Sequence, residues 1–235
     1  MKTLATAACI AALLASSAGG ARSLDFAGRI WDIKSSDGDP AGPGPNVFTD
    51  ARKAVFVDDH GALHLTIAYR HYRWESTEIV SRESLGYGTY RFDIAAGANA
   101  IADNAVFGLF TYDLDPAQAN REIDIELSRW GDGRTDNIQC SVQPADDRPD
   151  HYGRFASGEG RQGWIIEFSW APGVFDCTVT DKASNHIIGH THLTAGVPTP
   201  GNEKTRINLW QFRGKEPIGF VPSEVVVRNF TFTPR

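Results

Sequence analysis

Basic residues are the scarcer charge in this sequence, and nowhere do they cluster. There are 23 Lys and Arg against 29 Asp and Glu, a formal net charge of −6. With no basic tail or run to neutralise phosphates, nucleic acid and anionic membrane are poor partners. A neutral polymer is compatible with the balance. Cysteine occurs three times in 235 residues, too few for a disulfide-stapled miniature fold, and its spacing fits no metal motif. No sustained 3.6-residue hydrophobic period is present, so there is no long amphipathic helix from which to build a bundle. Beyond the first residues, no apolar run is long enough to cross a bilayer. P-loop, dinucleotide and Ser-His-Asp signatures have no context that would support them.

The start, "MKTLATAACIAALLASSAGGARS", carries Lys2, an apolar run through Leu14 and then small residues. This is the pattern of a secretory signal peptide cleaved after Ala18 or Ala21, and the run is too short for a membrane span. We expect a leader at 1–21 and a single monomeric domain at 22–235, delivered outside the cell or to the periplasm. Loss of Lys2 makes the chain one unit more negative, and Cys9 leaves with the leader. Cys140 and Cys177 then sit in an oxidising compartment, where a disulfide and two buried free thiols are both open.

What is abundant is period-2 alternation, the mark of strands buried on one side. It predicts strands at 62–67, 77–81, 88–93, 106–112, 122–127, 137–142, 163–170, 174–180, 186–193, 205–212 and 224–232. Gly, Pro, Asn and Asp clusters such as "DPAGPGPN" and "DDHG" separate them. Many short strands with such turns give an all-β chain, a sandwich or barrel. No repeat of the solenoid or propeller kind is present.

One strand is unusual. In "REIDIELSRW" (121–130) the carboxylates Glu122, Asp124 and Glu126 alternate with Ile123, Ile125 and Leu127. Residues i, i+2 and i+4 of a strand share a face, so the acids stand together and the apolar residues face the core. Like charges side by side weaken a strand. Two carboxylates flanking one bond are what glycoside hydrolysis requires, ~5–5.5 Å apart for retention of configuration and ~6.5–9.5 Å for inversion. The Cα atoms of Glu122 and Glu126 are ~13 Å apart in a strand, and two inward-leaning glutamates on a curved sheet close enough of that for retention. A solvated acidic strand is the plain alternative. A calcium site fits poorly, because calcium wants oxygens around a point rather than along a row.

The surroundings extend the pattern. Glu-Ile-Asp-Ile-Glu resembles the active-site signature of glycoside hydrolase family 16. So do "SLGYGTYRFDI" (84–94), "GLFTYD" (108–113), "GWIIEFSWAPGVFDCTVTD" (163–181) and "TRINLWQFRG" (205–214), which keep the family's order over roughly 160 residues. The resemblance implies a β-jelly-roll sandwich of two antiparallel sheets with a concave substrate cleft. It implies an endo-acting β-glycan hydrolase that works by double displacement and needs no cofactor for chemistry. Glu122 matches the nucleophile, Glu126 the general acid/base and Asp124 the assisting acid. The E-x-D-x-E spacing, with no extra residue to force a bulge, sides with lichenases and xyloglucan transglycosylases rather than laminarinases. Transglycosylation and non-catalytic glycan binding on the same fold remain alternatives. The structural calcium of some family members is unmarked here.

By the same matching, Glu78, Phe110, Tyr112, Gln139, Asn208 and Trp210 correspond to substrate-binding positions, since sugars stack on aromatic rings and are oriented by side-chain hydrogen bonds. Trp130 follows the acids closely and is a candidate to flank the cleft. Asn46 is a weaker match. The chain also departs from the family. Val80 stands where an arginine is usual, Ser141 and Gln143 replace larger partners, and the tryptophan often found just before the acids is missing. Arg121, next to the nucleophile position, reads as a structural ion-pair partner. His186, His190 and His192 lie close together, but without a fourth ligand we expect an exposed edge strand rather than zinc.

Overall fold

The computed structural model describes residues 22–145 and 148–235. The expected leader, 1–21, lies outside them. The alternating pattern becomes sixteen strands: β1 (Ser23–Phe26), β2 (Arg29–Ile33), β3 (Val55–Val57), β4 (Leu63–Arg70), β5 (Arg73–Glu75), β6 (Thr77–Ser81), β7 (Gly88–Ile94), β8 (Ala105–Tyr112), β9 (Ile123–Leu127), β10 (Ile138–Val142), β11 (Tyr152–Phe155), β12 (Trp164–Ala171), β13 (Val174–Asp181), β14 (His186–Leu193), β15 (Lys204–Gln211) and β16 (Ser223–Pro234). Among the described residues, no helix is long and apolar enough to cross a membrane.

Two antiparallel sheets form. The front sheet runs β1-β2-β6-β15-β8-β9-β10-β11, and the back sheet runs β14-β13-β12-β7-β16-β4-β3, with β5 hairpinned onto β4. Successive strands cross between sheets, β6 in front, β7 behind, β8 in front, and this wrapping is the expected jelly roll.

Alternation decides which side chains meet. Ile123, Ile125 and Leu127 of β9 join Phe107 and Leu109 of β8 and Ile207 of β15 in one buried core. The back sheet contributes large residues, including Tyr90, Phe92, Trp164, Phe168 and Trp170. The indole N–H of each fully buried tryptophan finds a backbone carbonyl: Trp31 donates to Phe26, Trp164 to Ser157 and Trp170 to Pro198. That satisfies the polar handle that would otherwise penalise burial.

The cysteine question is resolved in favour of the bond. Cys140 of β10 and Cys177 of β13 form a disulfide with Cα atoms 6.4 Å apart. It ties the front sheet to the back sheet beneath the acidic strand. Closing a loop of 37 residues restricts the unfolded chain by about 4 kcal/mol in the chain-entropy account.

Candidate active site

Directly paired residues of an antiparallel sheet point to the same side, so register turns the sequence into a map of the open face. One row crosses the front sheet as Glu78 (β6), Asn208 (β15), Gly108 (β8), Glu126 (β9), Gln139 (β10) and Arg154 (β11). The next row, two residues along, reads Val80, Arg206, Phe110, Asp124, Ser141 and Tyr152 on the same strands. Glu122 immediately precedes β9, and its carbonyl accepts from the Gln143 N–H, prolonging the ladder. The three acids therefore do share the face away from the core.

Gly108 shows how tightly that face is filled. A Cβ there would lie 2.5 Å from Asn208 Oδ1, so a glycine in mid-strand, normally a weakening choice, is required between Asn208 and Glu126.

Crowding sets the protonation of the acids. Burial and the charge of Asp124 push the Glu126 carboxyl up to about 8, against a counter-pull from Arg154. Burial raises Asp124 to about 6, although it accepts a 2.7 Å hydrogen bond from Gln143 Nε2. Burial, with the charges of Asp124 and Glu126, holds Glu122 well above the ordinary carboxylate range, while Arg206 pulls it down. The interaction between the two carboxyls raises Glu122 and lowers Asp124, so the proton they share sits on Glu122. Gln143 favours charge on Asp124, and Arg206 favours charge on Glu122.

Arg206 was not apparent from sequence. It is buried, donates to Glu78 Oε1 at 2.8 Å and lies over the Tyr112 ring at 5.3 Å. Its strand partner is Val80, the position where the resembling family carries arginine. The cation is thus present in the same row but supplied by the neighbouring strand. Only the strand pairing shows this.

The other matched residues divide in two. Glu78 has 0% exposure and is held by Lys34 at 3.1 Å as well as by Arg206. Burial pushes its carboxyl up, but Lys34 and Arg206 more than offset this and leave it below the usual range. It is therefore a covered member of the open-face row that braces its neighbours and offers no surface to a sugar. Asn208 is also nearly covered, with Nδ2 3.4 Å from Glu78. Asn46 is buried and structural, bonding the backbone of Pro43 and Gln211. Phe110 and Tyr112 are half-buried on the open face.

Trp210 keeps 9% exposure and packs with Phe48 and Val106 in a small apolar cluster separate from the main core. Trp130 and Phe212 border this cluster and meet edge to face at 5.2 Å. Gln139 Oε1 accepts from Arg154 Nε at 2.6 Å. Glu126, Trp130, Gln139 and Phe212 line a cavity of about 780 Å³, within the range of ligand clefts.

Three residues of the surroundings lie where expected. Arg121 is tied to Asp113, Gln118 and the Thr199 carbonyl. His190 and His192, on β14 at the edge of the back sheet, share Asp176 of β13. Among the described residues, no cluster of three or more His, Cys, Asp or Glu could hold a metal ion.

Neither a family model nor a curated protein matches the chain in sequence. Solved structures match its fold. A Bacillus licheniformis β-glucanase superposes with TM-score 0.66 at 18% identity, covering 93% of this chain and 100% of its own. A Bacteroides ovatus family 16 protein of a mixed-linkage glucan locus, in complex with a G4G4G3G product, gives 0.62 at 13%, covering 86% and 94%. A Mycobacterium tuberculosis immunostimulatory antigen described as a pseudo β-1,3-glucanase gives 0.62 at 19%, covering 86% and 89%. The chain has the jelly-roll fold of the glycoside hydrolase family 16 β-glucanases.

Proposed function

We propose that this chain is an exported, retaining, endo-acting β-glycan hydrolase. The observation that carries the reading is the E-x-D-x-E row on the open face of β9, with Glu126 kept protonated beside a cleft. Glu122 attacks the anomeric carbon as the glycosidic C–O bond breaks. Glu126 gives its proton to the departing oxygen, then takes one from the water that releases the glycosyl-enzyme ester. For Glu122 to attack, the proton it shares with Asp124 must lie on Asp124, which then donates a hydrogen bond to the nucleophile. Arg206, in the same row as Asp124, favours that arrangement. The leader pattern and the Cys140–Cys177 disulfide support an oxidising, extracytoplasmic location.

A second reading is a glycan-binding protein without turnover. The raised Glu122 carboxyl and the pseudo-glucanase name of one structural neighbour favour it. The polysaccharide panel for both readings is lichenan, laminarin, xyloglucan, agarose and carrageenan, assayed for new reducing ends.

Wild-type protein is expected to release reducing ends from a member of the panel, Glu122→Ala to release none, and added azide or formate to restore part of the rate as a surrogate nucleophile. A folded wild type that binds glycan and releases nothing establishes the binding protein instead.

Glu126 has a second, thermodynamic signature. Its folded carboxyl titrates near 8, above the ordinary ~4.3. The unfolded chain therefore binds fewer protons between those values, and stability falls as pH rises through that window. Melting curves should show Glu126→Gln gaining on wild type from pH 4 to pH 8. In parallel, wild-type kcat/KM should fall as pH rises past about 8, when the acid is lost. An unchanged gap between the two melting temperatures contradicts the assignment.

Arg206→Met should lower kcat about 10- to 100-fold, the size of one buried charge interaction of about 1–3 kcal/mol. It should also move the acid limb of the pH profile upward. Moving the cation back across the strand pair, Val80→Arg with Arg206→Met, should recover much of the loss. Failure of that double variant to improve on Arg206→Met, with both folded, argues against the electrostatic role.

A further inference from the structure

The cavity beside Glu126 has an electrostatic character that the whole chain does not. Against a net charge of −6, its wall carries Arg134, Arg154, Arg213 and Lys215. Most cations elsewhere are ion-paired, as in Arg29–Glu83, Arg82–Asp32, Arg91–Glu167 and Lys182–Asp93. In the cavity, Arg134 is spent on Asp132, at 2.6 Å. Arg154, Arg213 and Lys215 have no ion pair with any carboxylate among the described residues. Arg154 is oriented instead by Gln139 at 2.6 Å and by the Tyr152 ring at 5.1 Å. Arg213 lies over the Phe212 ring at 4.9 Å.

The chain turns sharply here. Arg213 sits at φ 58°, ψ 22°, a left-handed conformation that a non-glycine residue adopts at a cost. Gly214 beside it is left-handed too, at φ 63°. The conformation places an arginine at the cleft wall with its guanidinium against an aromatic face. Of the acids lining the cavity among the described residues, Asp132 is taken by Arg134, and Glu126 is the proton donor of the proposed reaction; Glu216 is the remaining one. Arginine forks match planar carboxylates and sulfate oxygens, and they are the usual choice where such groups are recognised.

We propose that the cleft arm bounded by Arg154, Arg213 and Lys215 is a subsite for an anionic sugar, one bearing a carboxylate or a sulfate ester. This rests on the reading of the cleft as a glycan site, and it narrows the substrate from a neutral β-glycan to one with charge placed near the scissile bond. Phe212 and Trp130 supply the aromatic surface against which such a sugar packs, and the three cations hold its charge.

Calorimetry on the Glu122→Ala protein tests this without turnover. Three probes share one backbone: a neutral mixed-linkage β-glucan tetrasaccharide, the same oxidised at C6 to uronate, and the same 6-O-sulfated. A charged probe should bind at least about tenfold tighter than the neutral one, the size of one charge-assisted hydrogen bond. The advantage should shrink as salt rises. Adding Arg213→Gln and Lys215→Gln should remove it while leaving neutral binding unchanged. The tighter of the two charged probes identifies the group, and equal tightening assigns recognition to charge alone. Charged probes that bind no better than neutral, or an advantage that survives the double substitution, overturn the subsite. Reducing-end release from neutral glucan by the wild type is read separately. Cleavage without charge preference leaves the hydrolase reading standing, and charge preference without any cleavage leaves the subsite standing.

Discussion

Burial of Glu122, Asp124 and Glu126 side by side, with charge repulsion added at Glu122 and Glu126, is the constraint around which the open face is arranged. Three carboxyls two residues apart on a half-buried strand cannot all ionise, so some must hold protons at neutral pH. Every neighbour then selects which. Gln143 draws charge to Asp124, Arg206 draws it to Glu122, and Arg154 only partly relieves Glu126. The outcome is a protonated Glu126 and a proton held between Glu122 and Asp124 on the Glu122 side; the proposed double displacement requires that second proton to pass to Asp124. Such a row lowers stability, and the rest of the sandwich must carry that cost.

The sandwich does so by packing and by covalent restraint. The same alternation that puts the acids outward puts Ile123, Ile125 and Leu127 into the core. The next strand, β10, is tied to the back sheet through Cys140–Cys177. Within the neighbouring rows, Glu78 and Arg206 join Lys34 in a buried ionic group. Such a group contributes little net stability but is costly to break, since removing one partner leaves a buried charge alone. Its value is geometric: it fixes Arg206 in the row that carries Asp124.

Long alternating segments made most of this legible in sequence. Thr77–Ser81 and His186–Leu193 coincide with their strands, and the acid row follows from period 2 alone. What escaped did so for physical reasons. β2 places Ile30 and Trp31 side by side, one exposed and one fully buried, so hydropathy shows no alternation. β3 and β5 are three residues long and β11 is four, too short for a period to register. In the site, Glu78 was assigned to the right strand, but it is covered by Lys34, just after β2, and by Arg206 of β15, which only the fold brings to it. That Arg206 stands directly opposite Val80 becomes visible only when β6 and β15 are paired. The cationic wall is assembled from β11 and from the loop after β15, so no run of basic residues announces it.

The central claim is that Glu122 and Glu126 divide the reaction as nucleophile and acid/base. The most direct measurement is the anomeric configuration of the first product, followed by proton NMR from the start of cleavage of whichever β-glycan the protein degrades. The account predicts that the β-anomer signal rises first, with the α-anomer following only at the rate of mutarotation. Initial release of the α-anomer would contradict it, because inversion leaves no place for a glycosyl-enzyme on Glu122.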